Sequence, residues 1–198
     1  MQNTQLYLAS GSPRRLQLLQ QLGLQIEVFA AEIDETPSPM ETPQHYVQRM
    51  AREKNQAART LWQKQRGNAP HLPVLSADTI VVSNGQILGK PRDAAHAKAM
   101  LRQLSASTHQ VLTALCLSYE NQLLSDLNIS QVRFRALTEA EIDGYIRSSE
   151  PLDKAGAYGI QGLGGIFIEH IEGSFTGVMG LPIFECAQLL RRAGVNLL

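Results

Sequence analysis

A chain of 198 residues, 43% of them apolar and 18% charged, is long enough to bury a real core as a single domain, and its composition is unlike that of disordered or collagen-like chains. Its 18 basic and 18 acidic residues cancel, so no bulk field draws it to nucleic acid or anionic lipid, and any phosphate binding must be local. No apolar run nears the roughly 20 residues needed to cross a bilayer, and the N-terminus lacks a signal-peptide pattern; a cytoplasmic protein is expected.

The first apolar stretch, Leu6 to Ser10, reads as a strand that runs into Ser-Gly-Ser. Ser12 and Pro13 are good N-cap and first-turn residues for a helix whose apolar positions are Leu16, Leu18, Leu19 and Leu22. Arg14 and Arg15 then fall in its first turn, where unpaired N–H groups already carry partial positive charge and cations are disfavoured. Either the two arginines are merely solvated, or an anion sits at this helix start, held by the Ser10-Gly11-Ser12 amides and two guanidiniums.

Gln25 to Ala30 alternates like a half-buried strand, and "EIDETPSPMETP" is a proline-punctuated loop. Thr42 and Pro43 start a long helix that ends near Gly67; its polar face, with Arg49, Arg52, Glu53 and Lys54, reads by default as solvated. "VLSADTIVVSNGQILGK" is two strands joined by the Asn84-Gly85 turn. A helix is expected over Ala94 to Leu104, then long strands Gln110 to Tyr119 and Leu123 to Arg135 that turn near Asn121. Thr138 and Glu141 form a capping box. The tract "DKAGAYGIQGLGG" leads to a strand from Ile166 to Ile171, and a last helix from Leu181 or Pro182 stops at Gly194. Crossovers together with hairpins predict an α/β fold with a mixed, curved sheet.

Cys116 and Cys186 lie in apolar runs and read as buried thiols of a reducing compartment. The histidines at 45, 71, 96, 109 and 170 have no ligand spacing. Asp78 is the conspicuous residue, an acid inside a run of Val, Leu, Ile and Ala, and it must be paired, bound to a metal or placed at a strand end facing a cleft. A count that sets Asp78 and Lys90 equidistant from the Asn84-Gly85 turn predicts a cross-strand ion pair. Asp34 and Glu35, in the loop, suit either metal binding or plain solvation. Gly156, Gly159, Gly162, Gly164 and Gly165 would let backbone approach a ligand, or simply make a compact loop around Lys154 and Gln161.

"LASGSPRRLQLL", "EIDE", "AREKNQA", "SADTIVV" with "GKP", "EPLDKAGAYGIQG" and "VMGLP" follow one another over nearly the whole chain, and the set closely resembles the Maf family of nucleotide pyrophosphatases. The resemblance implies one catalytic domain over residues 1–198, with the fold of inosine-triphosphate pyrophosphatases: a mixed curved sheet flanked by helices, and two lobes with a central cleft. It also suggests a homodimer; zero net charge and the lack of a spanning apolar run point to neither a nucleic-acid nor a membrane partner, and the negative charge that spreads over phosphoryl oxygens calls for a divalent cation such as Mg²⁺ or Mn²⁺.

Carried over residue by residue, the resemblance makes Ser10, Arg14 and Arg15 the substrate-binding loop and Asp78 the proton acceptor, with Glu35 an acidic position acting through metal. Lys54, Lys90 and Lys154 match basic positions lining the cleft. Asp78 suits the role of base and that of metal ligand equally. The reaction implied is attack of water at the α-phosphorus, which yields a nucleoside monophosphate and pyrophosphate and cleans the nucleotide pool.

Arg14, Thr79 and Gln161 resemble the branch that hydrolyses dTTP and UTP, with modified uridine triphosphates as further candidates; the 7-methyl-GTP branch carries tryptophan, glutamine and glutamate in their places. The contrast is chemically sensible, because a cationic base favours an aromatic face and a carboxylate, whereas uracil or thymine suits an amide that both donates and accepts. Two readings from other classes stand beside these: a non-catalytic nucleotide sensor affecting cell division, which has no use for Asp78, and an RNA-binding module, which zero net charge and the lack of a stacking-aromatic motif disfavour.

Overall fold

The computed structural model describes residues 4–197. Seven strands form one open mixed sheet in the order β2-β1-β3-β5-β6-β7, with β4 paired to β3. The strands are β1 (Leu6–Leu8), β2 (Ile26–Val28), β3 (Val74–Ser83), β4 (Gln86–Leu88), β5 (Thr108–Tyr119), β6 (Gln122–Phe134) and β7 (Ile168–Glu172). Among the described residues six α-helices accompany them: α1 (Pro13–Gln21), α2 (Pro43–Arg66), α3 (Ala94–Leu104), α4 (Glu139–Arg147), α5 (Phe175–Met179) and α6 (Ile183–Arg192). β1 runs parallel to β2 and to β3, while β3 with β4 and β6 with β7 are antiparallel. The mixed α/β class expected from the sequence is the one observed. No described helix is long and apolar enough to cross a membrane.

The chain divides into two compact units. The first comprises the residues up to Asp78, Thr113–Asn128 and the stretch from Gly180 onward; the second comprises Thr79–Leu112 and Ile129–Met179. In the first, Thr42 caps α2 by accepting from the His45 N–H at 3.3 Å, Pro43 opens the helix, and Gly67 closes it in the left-handed conformation at φ 75°. The inner face of α2 buries Val47, Met50, Ala51, Ala58 and Trp62. Two buried polar side chains fix that face to strands: Asn55 Nδ2 donates to the Val74 and Cys116 carbonyls at 2.8 and 3.2 Å, and Ser76 Oγ donates to the Ala51 carbonyl at 2.7 Å. Cys116 and Cys186 are buried free thiols.

In the second unit, Asn84 and Gly85 have φ of 52° and 75°, the paired left-handed geometry that suits a tight hairpin, between β3 and β4. Thr138 and Glu141 complete the capping box of α4. Its core gathers Met100, Leu101, Leu104, Phe134, Tyr158 and Phe167, among others.

Several boundaries differ from expectation. Ile166 and Phe167 belong to a 3-10 turn, Leu163–Phe167, rather than to the strand, which begins at Ile168. β1 and β2 are each only three residues long. The five-residue α5 has no periodic signal at its length. Ser12 occupies the N-cap of α1 without making a side-chain cap bond.

Candidate active site

β1 is buried throughout, and where it ends the chain turns through residues 9–12 into α1. Ser10, only 7% exposed, accepts at its Oγ from the Ser12 N–H at 3.3 Å and from Arg15 Nη1 at 2.9 Å. Arg15 Nε donates to the Gly180 carbonyl at 2.8 Å. The first-turn cation that helix electrostatics disfavours is thus offset by a carbonyl from the far end of the chain. Burial pulls the Arg15 guanidinium below its ordinary value; Asp78 and Glu35 oppose that pull, and Arg14 adds to it. It remains charged, as arginine does in proteins. Arg14 beside it is half-buried, and a Cβ at Gly11 would meet nothing within 4 Å.

α2 supplies the next piece. Ala51 and Asn55, the two positions clamped to strand backbone and strand side chain, bracket Lys54 on the helix. The Lys54 ammonium lies 2.6 Å from Asp78 Oδ1 and 2.7 Å from Glu35 Oε1. The side chains of Lys54 and Asp78 are 17% and 12% exposed, that of Glu35 56%. This part of α2 is therefore not the solvated polar face expected by default. A lone carboxylate at Asp78 would cost several kcal/mol to bury, and the Lys54 ammonium against it offsets that cost.

The loop that brings Glu35 to Lys54 is held from α2. Tyr46 donates its hydroxyl to the Glu35 carbonyl at 2.8 Å, and burial, with Asp78 and Glu35 adding to it, pushes that phenol up to about 12. Arg49 donates to both Glu41 oxygens at 2.7 Å and to the Thr36 carbonyl at 3.1 Å. Asp34 accepts from the Thr36 N–H at 2.9 Å, a loop-shaping bond, so the two neighbouring acids part company: Asp34 forms the turn and Glu35 meets Lys54. Sequence reasoning passed over Tyr46, Glu41 and Gly180. Helical spacing puts Tyr46 and Met50 on the inner face of α2, which is a usable signal; Gly180 contributes only a carbonyl and has none.

Among the described residues no group of three or more His, Cys, Asp or Glu side chains could hold a metal ion. Asp78 and Glu35 offer two hard oxygen groups around one cation, which fits an ion such as Mg²⁺ that takes one or two carboxylates and completes its shell with substrate phosphates and water.

The second unit carries the other expected residues. Thr79 is half-buried in β3. Lys90 is exposed beyond β4 and is not the ladder partner of Asp78: Val81 pairs with Leu88 and Ser83 with Gln86, a register whose continuation sets Lys90 opposite Thr79, and pairing stops at Leu88. The expected Asp78–Lys90 cross-strand pair is thereby corrected, and Lys54 takes the role assigned to Lys90. Lys154 donates to the Glu150 carbonyl and to Asp153 Oδ1, each at 2.6 Å. Gln161 is exposed in the turn that follows Gly159.

The family model described as Maf-like protein matches residues 5–193. A dTTP/UTP pyrophosphatase of Pasteurella multocida is 59% identical, with the whole of both chains covered. A nucleoside triphosphate pyrophosphatase of Haemophilus ducreyi is 54% identical over 98% of this chain and 97% of its own. A solved structure, the Ham1 protein of Staphylococcus aureus, aligns over 66% of this chain and 72% of its own at 12% identity and a TM-score of 0.42, too loose a likeness to carry an argument. A family model that spans all but a few residues at either end, and relatives matched at more than half of their positions from end to end, leave one conclusion: this chain belongs to the Maf family.

Proposed function

We propose that this protein hydrolyses dTTP and UTP to the monophosphate and pyrophosphate. The observation that carries the reading is the Lys54 ammonium held between Asp78 and Glu35, with Arg15 anchored close enough for both carboxylates to act on its charge. Full-length relatives that bear the names of such enzymes support it. The whole chain acts in this reading as one catalytic domain.

Water attacks the α-phosphorus, the bond from that phosphorus to the bridging oxygen breaks, and pyrophosphate departs. Asp78 accepts the proton that the attacking water gives up. Ser10, Arg14, Arg15 and the amides of the loop grip phosphoryl oxygens as negative charge spreads over them, with Lys54, Lys90 and Lys154 as further cations. A divalent cation held by Asp78 and Glu35 with the phosphates would add the largest local positive charge. Gln161 reads the base, because its amide both donates to a carbonyl of uracil or thymine and accepts from the ring N–H; Arg14 and Thr79 complete that choice. A cytoplasmic homodimer is the setting proposed for the activity, and the mass in solution checks the dimer.

Pyrophosphate release measured over dTTP, UTP, CTP, GTP and 7-methyl-GTP, with and without chelator, tests the reading. Preferential release from dTTP and UTP that stops when divalent cations are removed is expected. Binding of dTTP without release would instead leave a nucleotide sensor, and preference for 7-methyl-GTP would place the protein in the other branch.

A further inference from the structure

In the second unit, Glu150 is an acid enclosed by the chain that follows it. It opens the 3-10 turn Glu150–Asp153 after α4, and its half-buried carboxylate collects three donors from the chain around it. Tyr145, 4% exposed, donates its hydroxyl to Oε1 at 2.9 Å; the Gly164 N–H reaches Oε1 at 3.2 Å and the Leu163 N–H reaches Oε2 at 2.9 Å. The Tyr145 oxygen in turn accepts from the Gly159 N–H at 3.1 Å. Burial alone would push the Glu150 carboxyl up, but the two amides, the Tyr145 hydroxyl and Lys154 outweigh it and hold the group below its ordinary range.

The glycines of the tract are explained by these contacts. A Cβ on Gly162 would stand 2.5 Å from both Glu150 oxygens, and one on Gly164 would stand 2.6 Å from the Tyr145 oxygen and 2.9 Å from the Gly159 carbonyl. No real side chain tolerates such distances. The backbone of residues 159–164 is therefore wrapped onto one carboxylate and one phenol, and Gln161 is the first of three exposed residues, 161–163, in the middle of that wrap. Turn bonds inside the loop are weaker constraints: the Gly162 N–H meets the Gly159 carbonyl only at 3.4 Å.

We infer that Glu150, assisted by Tyr145, is the positioning residue for base selection: its carboxylate fixes the loop that presents Gln161, so the preference for uracil and thymine depends on a group that touches no substrate. The inference rests on the reading that Gln161 meets the base. An ionised carboxylate suits this post because it accepts from several amides at once, whereas a glutamine would turn its NH₂ toward at least one N–H that needs an acceptor. A loosened loop samples more conformations, and only a fraction of them present Gln161 correctly; the loss then appears as weaker binding of the preferred bases.

The test is a selectivity cycle on the full chain with Glu150→Gln, Tyr145→Phe, Gln161→Ala and the Glu150→Gln/Gln161→Ala double variant. Glu150→Gln is expected to lower kcat/KM for dTTP and UTP roughly 10-fold, mostly through KM, and to leave CTP and GTP within about 2-fold. Tyr145→Phe moves the same ratio by less. In the double variant Glu150→Gln brings no further loss of preference, since its effect passes through Gln161. Amide exchange at residues 159–164, faster in Glu150→Gln while the rest of the protein keeps its protection, ties the kinetic change to the loop. A fall by one common factor on all four nucleotides, or a preference loss that adds fully to that of Gln161→Ala, overturns the inference. If Gln161→Ala alone leaves the preference intact, the base-reading assignment has failed instead. Should Glu150→Gln not fold, Tyr145→Phe carries the same comparison.

Discussion

Lys54 shows how much a single side chain decides here, since it is the common partner of Asp78 and Glu35. Asp78→Asn keeps the size of the group but loses both its capacity to take a proton and its charge toward a cation. Pyrophosphate release from dTTP is expected to fall roughly 100- to 10,000-fold, the range a positioned general base supplies. A folded Asp78→Asn protein with wild-type turnover would remove Asp78 from the mechanism. Arg15 leads to a different expectation. A cation in a helix's first turn argues from sequence for a residue that is neutral or harmful to stability until an anion arrives. Yet its Nε meets the Gly180 carbonyl and its Nη1 the Ser10 hydroxyl, so Arg15→Ala leaves two polar groups short of a donor, besides removing a cation proposed to grip the triphosphate. A loss of about 1–3 kcal/mol is expected in urea unfolding without ligand, together with a raised KM. Unchanged stability with a raised KM would mean that water replaces the guanidinium at both acceptors.

At the scale of elements, β5 carries the clearest pH liability. His109, 2% exposed, bonds through Nε2 to the Tyr158 hydroxyl at 2.7 Å, and the rings of Phe134 and Tyr158 stand edge-on to it at 5.1 and 5.3 Å. Burial pulls this imidazole down to about 4. Between about 4 and the ordinary value near 6.5, the unfolded chain binds a proton that the folded chain refuses, so stability falls as pH falls through that window. The loss approaches roughly 3 kcal/mol at its acidic end, and His109→Gln, which does not titrate, is expected to remove that slope from urea melts compared at pH 7 and pH 4.5. A wild-type slope retained in the variant would place the liability elsewhere. The elements that were legible from sequence are those with local signals: the Thr42-Pro43 start and Gly67 stop of α2, the Asn84-Gly85 turn, and the Thr138 and Glu141 box. β7 was read two residues long at its start because Ile166 and Phe167 are apolar in a 3-10 turn just as they would be in a strand. The pairing of Asp78 fails for a different reason. A two-residue turn at Asn84-Gly85 sets Lys90 opposite Thr79, so the equidistant count is one residue out, and the true partner comes from a helix more than twenty residues earlier. The Gly-rich tract could be recognised as special, but not its cause, since Glu150 and Tyr145 look like ordinary residues at the end of a helix.

For the whole molecule, zero net charge means that affinity for a triphosphate must be built by placing cations locally rather than by bulk attraction. The residues proposed to choose the base come from separate stretches of the sequence, Arg14 in α1, Thr79 in β3 and Gln161 in the glycine-rich tract. A preference assembled from such separate stretches should not transfer with one substitution. Gln161→Glu alone places a carboxylate, which only accepts, against pyrimidine carbonyls that need a donor; kcat/KM for dTTP and UTP is expected to fall by roughly 1–3 kcal/mol, about 5- to 150-fold. It should bring little activity on 7-methyl-GTP, because Arg14 still repels the cationic base. Adding Arg14→Trp removes that charge, relieves the Arg15 guanidinium of a like-charged neighbour and offers an aromatic face, and Thr79→Gln completes the set. The triple variant is expected to release pyrophosphate from 7-methyl-GTP measurably faster than from unmethylated GTP, since the two differ in the charge that the new site is built to prefer. Equal rates on the two would show that the gain is mere loosening, and a gain already complete in Gln161→Glu would show that Arg14 takes no part in the choice.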